Sequence, residues 1–208
     1  MSELFSIQLQ NRQQQGRDGV WLDLPTTTEQ VQAALRQIGI SSDNPQGLFI
    51  SGYFAEEEKR FAIPYNMVLA SNVDELNFLA SRLETLSTGE RAELNAALQA
   101  PQSELFSIGR ITDFPENVDY YVHLPDVHGP AQLGDYYLNR SGMVDMPEEW
   151  KGGIDTAQFG RYVAQQEQGV FTEYGYLVKS GDAWQKVHEG QPVPEEYRVL
   201  SFPAPEVL

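Results

Sequence analysis

Cysteine is absent from the chain. That excludes disulfides, zinc–thiolate centres and thiol nucleophiles together, and it fits a cytoplasmic protein. Basic residues are scarce, with 14 Lys and Arg against 30 Asp and Glu, a formal net charge of −16. Non-specific affinity for nucleic acid comes almost wholly from Lys and Arg. Direct DNA or RNA binding is therefore not expected, whereas basic surfaces should be attracted. No apolar run is long enough to span a bilayer. The opening MSELFSIQLQNRQQQGRDG lacks the basic start and apolar core of a signal peptide. A soluble, intracellular protein without membrane contact is the expectation.

Common catalytic signatures are missing too. There is no Gly-x-Ser-x-Gly elbow, no Gly-x-x-x-x-Gly-Lys-Ser/Thr loop, and no Gly-x-Gly-x-x-Gly after a strand. No catalytic residue, cofactor or metal is expected, and the chain reads as a non-enzyme. The best metal candidate is His123-Leu-Pro-Asp126-Val-His128, two imidazoles and a carboxylate within six residues. Pro125 and a strand-to-turn geometry should scatter these side chains, leaving two partly exposed loop histidines.

What is present reads as α+β. Hydrophobic residues make up 41% and charged residues 21% of 208, an ordinary globular composition. Alternation predicts a strand around Leu4–Leu9, a polar turn from Gln13 to Gly19, and a second strand from Val20 that ends at Pro25. Thr26 and Glu29 suggest a capping box ahead of Val31, Ala34, Leu35 and Ile38. Leu48–Phe54 reads as a strand, with Phe61–Ile63 pairing to it. Val73, Leu76, Leu79, Ala80 and Leu83 form one helical stripe. Ser87 and Glu90 form a second capping box, for a helix that Pro101 ends. Ser-Glu-Leu-Phe-Ser-Ile occurs at 2–7 and again at 103–108, the first copy read as strand and the second as helix. Val118–Leu124 reads as strand, with short helices around Leu133–Leu138 and Phe159–Val163. Gly169–Val178 is expected to be a turn followed by a strand. Residues 180–208 are rich in Pro, Gly and Glu, with Trp184 as an anchor. Three consecutive domains follow: 1–66 (α+β), 67–116 (helical) and 117–208 (mixed).

The acids are informative together. From residue 103 onward there are 17 acids and 7 bases, mostly dispersed: Asp113, Glu116, Asp119, Asp126, Asp135, Asp145, Glu148, Glu149, Asp155, Glu167 and Glu173. A block of acids would mark a disordered tail; spaced acids on ordered elements make a fixed charge lattice. Carboxylates three or four positions apart on a helix stand about 5–6 Å from each other, and duplex DNA carries one charge per roughly 1.7 Å of axis. Folded acids can thus approximate a phosphate array. The competing reading is a surface that merely keeps the protein soluble.

Specific residues add to this. Gly19-Val-Trp-Leu-Asp-Leu-Pro25-Thr-Thr-Thr-Glu29, leading into a helix that ends at Ile38-Gly39, resembles the opening of the ArdA antirestriction family. Asp126-Val, Leu133-Gly-Asp-Tyr-Tyr, Gly142-Met-Val-Asp-Met-Pro147-Glu, Ile154-Asp-Thr-Ala-Gln-Phe-Gly160-Arg and Phe171-Thr-Glu-Tyr-Gly-Tyr176 follow in that family's order. The resemblance covers about residues 3–178. It implies an elongated three-part α+β protein that imitates bent B-form DNA. Its partners would be the specificity and methyltransferase subunits of type I restriction-modification enzymes, and its state a homodimer joined through the C-terminal part. Leu133, Leu138, Met143, Val144 and Met146 would supply the dimer contact, or else belong to the core. Two departures stand out: a tail from about Lys179, and bases beside acids at 55–60. An acidic adaptor or scaffold of mobile DNA, binding another basic protein, is the alternative.

Overall fold

The computed structural model describes residues 4–14, 18–56, 60–101 and 103–205. The departure at Glu57–Lys59, part of the Gln13–Gly19 turn and the start of the first hexapeptide copy lie outside these residues. In chain order the first elements are β1 (Phe5–Asn11), β2 (Val20–Leu24), α1 (Thr28–Gln37), β3 (Leu48–Phe54), α2 (Tyr65–Leu69) and α3 (Val73–Leu83). Then come α4 (Thr88–Gln99), α5 (Ile108–Thr112), β4 (Tyr121–Leu124), α6 (Pro130–Asp135) and α7 (Glu148–Lys151). The last are α8 (Thr156–Glu167), β5 (Val170–Thr172) and β6 (Gly175–Lys179). The fold is mixed α+β, with two three-stranded antiparallel sheets among the described residues. None of the described helices is long and apolar enough to cross a membrane.

Two compact units share the chain. Unit 1 takes residues 1–86, 105–115 and 186–208; unit 2 takes 87–104 and 116–185. The helices of the middle segment divide between them, α3 and α5 in unit 1 and α4 in unit 2.

In unit 1 the sheet order is β2-β1-β3. Alternation in β1 buries Ile7 and Leu9 completely while Gln8 and Gln10 stay half-buried, the period-two pattern of a strand with one covered face. Helix α1 starts one residue later than the sequence suggests. Thr27, not Thr26, is its cap: Thr27 Oγ1 accepts from Gln30 N, and Gln30 Oε1 accepts from Thr27 N. Thr26 is buried and committed elsewhere, its backbone N–H donating to Asn77 Oδ1 at 2.7 Å. The stripe of α3 is buried as its spacing requires. Phe61 and Ile63 are also buried, but they form no strand; a carbonyl in this segment, that of Phe61, accepts from the Tyr53 hydroxyl.

The tail is the main surprise of unit 1. No element was expected in it beyond the Trp184 anchor, yet its backbone is held by side chains of α3. Asp74 Oδ1 accepts from the N–H groups of Val199 and Leu200, both at 2.7 Å. Asn77 Nδ2 donates to the Tyr197 carbonyl, and the Tyr197 ring packs on Phe78 with centroids 4.7 Å apart. Further along, the Pro203 carbonyl accepts from Ser42 N.

Unit 2 is built on the sheet β4-β6-β5. β5 and β6 form a hairpin where a single strand is expected. The expected strand 118–124 is shorter, with one 3-10 turn at Val118–Tyr120 before β4. Residues 103–106 are not helical; Ser107 caps α5, so the hexapeptide's second copy is a loop running into a cap. Ser87 and Glu90 form the capping box of α4 as read from sequence. Trp184 is half-buried, edge-on to Tyr120 at 5.1 Å, as an anchor should be.

Helices α6 and α8 touch backbone to backbone. A Cβ on Gly134 would sit 1.9 Å from the Thr156 carbonyl oxygen, and one on Gly160 would sit 1.8 Å from that of Pro130. No side chain fits in either place. The two glycines permit the crossing, and Val127, Leu133 and Tyr176 form the buried cluster of this unit.

Candidate partner-binding surface

Most of the acids singled out in the sequence lie on unit 2 and face water. Asp119, Asp126, Asp145, Glu148, Glu149, Asp155 and Glu173 are exposed. Asp119, Asp126, Asp145 and Glu149 have no ion-pair partner among the described residues. Others are partly neutralised. Arg140 lies 3.1 Å from Asp135, and Lys151 lies 2.5 Å from Glu148. Asp155 caps α8 by accepting from Gln158 N at 3.0 Å, and Glu173 accepts from the Gln99 side-chain amide. Asp126 and Asp135 are brought together on one recess of about 290 Å³, shared with Arg140.

Asp135 is half-buried, and three more of the eleven are not exposed either. Glu116 is half-buried. Glu167, also half-buried, accepts from the hydroxyls of Tyr137 at 2.8 Å and Tyr176 at 2.6 Å. Burial first, and these bonds to a carboxylate second, hold both phenols well above their ordinary range. Asp113 is no surface group at all. It is 0% exposed and belongs to unit 1, where its carboxylate accepts from the backbone N–H groups of Val187, His188 and Glu189 at 2.6–3.2 Å. Its place on an acidic face is corrected by this geometry: the charge is spent on ordering the tail.

One acid that sequence reading passed over changes the electrostatics. Glu93 on α4 is pushed up to about 8, by burial foremost and then by the neighbouring charges of Glu90 and Asp119. Near neutrality it is largely protonated, and the field of this unit is weaker by that much. Only the fold shows it beside other carboxyls.

The five apolar residues weighed for a dimer contact separate by burial. Leu133 and Leu138 are core, at 0% and 3% exposure, whereas Met143 is 75% exposed. Val144 and Met146 are half-buried. The His123, Asp126 and His128 side chains do not converge among the described residues. His123 Nε2 instead lies 2.7 Å from the Tyr174 carbonyl, and burial lowers its pKa despite that contact.

A family model described as antirestriction protein (ArdA) matches residues 15–178. The chain belongs to the ArdA family. The match takes in every segment that carried the resemblance from Gly19 to Tyr176, including Gly134 and Gly160 at the helix crossing, and it stops before the tail. No curated protein matches the chain. ArdA membership implies antirestriction function: the family consists of inhibitors rather than enzymes, and they act on type I restriction enzymes.

Proposed function

We propose that the chain blocks a type I restriction-modification enzyme by presenting carboxylates where the enzyme's specificity and methyltransferase subunits hold DNA phosphates. The observation that carries this reading is the set of outward-facing acids on unit 2, led by Asp119, Asp126, Asp145 and Glu149, which no base neutralises among the described residues. Lys and Arg of the enzyme would pair with them and release counterions, as they do on a duplex. No bond is made or broken. In this reading the protein works in the cytoplasm on behalf of mobile DNA, and a homodimer joins through the exposed Met143 with Val144 and Met146, since Leu133 and Leu138 are committed to the core.

The test is cleavage of DNA by a type I enzyme against increasing amounts of the protein, at several salt concentrations. Inhibition is expected at low salt and should fall steeply as salt rises. Replacing Asp119, Asp126, Glu148 and Glu149 by their amides should weaken inhibition and flatten its salt dependence. Undiminished inhibition by that variant would sink the mimicry. Light scattering before and after Met143→Glu checks the dimer.

A further inference from the structure

Strand β2 lies at one edge of the unit 1 sheet, with β1 as its one partner among the described strands. A strand paired on one side only offers the backbone N–H and C=O groups of its other side to an incoming extended chain. Along Val20–Asp23 those groups have no hydrogen-bond partner beyond β1 among the described residues. The register with β1 runs unbroken from Phe5↔Leu24 to Leu9↔Val20, so no bulge twists this edge away. No Lys, Arg or Pro lies within β2, and its single charge is Asp23. The other edge is treated differently: α2 packs against β3, and the Tyr65 hydroxyl donates to the Ser51 carbonyl. Beside the free edge, a recess of about 220 Å³ opens between β2 and α1. Its α1 side is Gln30, Ala33, Ala34 and Gln37, spaced as one helix face, and Ala33 there is exposed and small. On the opposite face of β2, Trp21 and Asp23 reach water. The Asp23 carboxylate accepts from the Ser6 hydroxyl at 2.8 Å and has no ion-pair partner among the described residues.

The geometry points to β2 as the docking edge for an extended segment of another protein, one that alternates apolar and basic side chains and joins the sheet as a fourth strand. The unpaired backbone groups call for an extended chain, whose own N–H and C=O groups recur at the same spacing. Period two then sorts its side chains. Those on the α1 side enter the recess beside Ala33 and Ala34, and those on the other side come next to Trp21 and Asp23. An indole face and a carboxylate both favour a cation there. A second copy of the chain also offers an edge strand, but it would set a net −16 against another −16. Its β2 also carries no base to meet Asp23. A basic strand has neither fault. The site is built from unit 1 alone, so it stands apart from any imitation of phosphates by the acids of unit 2.

Two capped peptides of one composition test this on the full chain by calorimetry. Lys-Val-Lys-Val-Lys-Val alternates, and Lys-Lys-Lys-Val-Val-Val does not. Their charges are equal, so unspecific attraction to an acidic protein cancels. The alternating peptide should bind about tenfold tighter. N-methylation of its Val amides or of its Lys amides should have unequal effects: one set abolishes the preference and the other spares it, because an edge strand is addressed by every second N–H only. Ala33→Trp, which fills the recess from an exposed position on α1, should erase the preference for alternation. Asp23→Asn, which keeps an acceptor for Ser6, should weaken the alternating peptide by up to about fivefold, the range of an exposed ion pair. Both variants should melt with the parent chain, which checks their fold. Equal binding of the two peptides, indifference to which amides are methylated, or a preference that survives Ala33→Trp would overturn the site. Light scattering that shows self-association lost on Ala33→Trp would overturn it as well, since a second copy would then hold the edge.

Discussion

The two units divide their acids alike, a few held inward and most facing water, but they are knit together differently. In unit 1, Asp74 and Asp113 turn inward and bind backbone N–H groups of a tail more than seventy residues away. In unit 2, cohesion comes from a helix crossing without side chains between the axes, and most acids are left to face water. Acid content alone therefore says little about charge display. A carboxylate buried against three donors is structural, and an exposed one costs the fold almost nothing to replace.

That contrast can be broken at several points. Asp113→Ala should cost the most, about 3 kcal/mol or more, because three buried donors lose their acceptor together. Denaturant melting would show it, with faster amide exchange at Val187, His188 and Glu189. Asp113→Asn, which keeps one acceptor oxygen, should fall between. Gly160→Ala should destabilise unit 2 by about 2–3 kcal/mol, since the clash is with backbone rather than with a side chain that can move; calorimetry should show the loss in that unit. A smaller effect belongs to Glu93. Its folded pKa of about 8 lies above the ordinary 4.5, so the stability linked to its protonation is complete below pH 4.5 and is lost as pH rises through about 8. Glu93→Gln should remove that decline, visible as a flatter profile of melting temperature against pH. The smallest effect is expected at Asp126 and Glu149, where amide replacement should move stability by no more than about 0.5 kcal/mol each. A large loss at either would erase the distinction between inward and outward acids.

Local signals were legible and long-range polar ones were not. The α3 stripe, the Ser87–Glu90 box and the β1 alternation are set by neighbours within a turn or a pleat, and they stand where the sequence put them. Thr26 is not the cap: its hydroxyl donates to the Gln30 side chain, and its backbone N–H is taken by Asn77, fifty-one positions away. Phe61–Ile63 and 103–106 have strand and helix patterns but pack as irregular chain, burial having been satisfied without regular hydrogen bonding. Seven of the eleven dispersed acids are exposed. Asp113 and Glu93 were not distinguishable from them, since nothing adjacent in sequence announces a tail or a crowded carboxyl. The ordering of residues 186–205 was hidden for the same reason.

The helix crossing also bears on kinship. Any relative that folds this way needs a residue lacking a side chain at both Gly134 and Gly160, since a Cβ at either place runs into a carbonyl oxygen. An outward Asp, by contrast, can become Glu or move a turn along its helix and still display its charge. Descent would thus be written in the silent interior contact, while the part facing the adversary stays free to be rewritten.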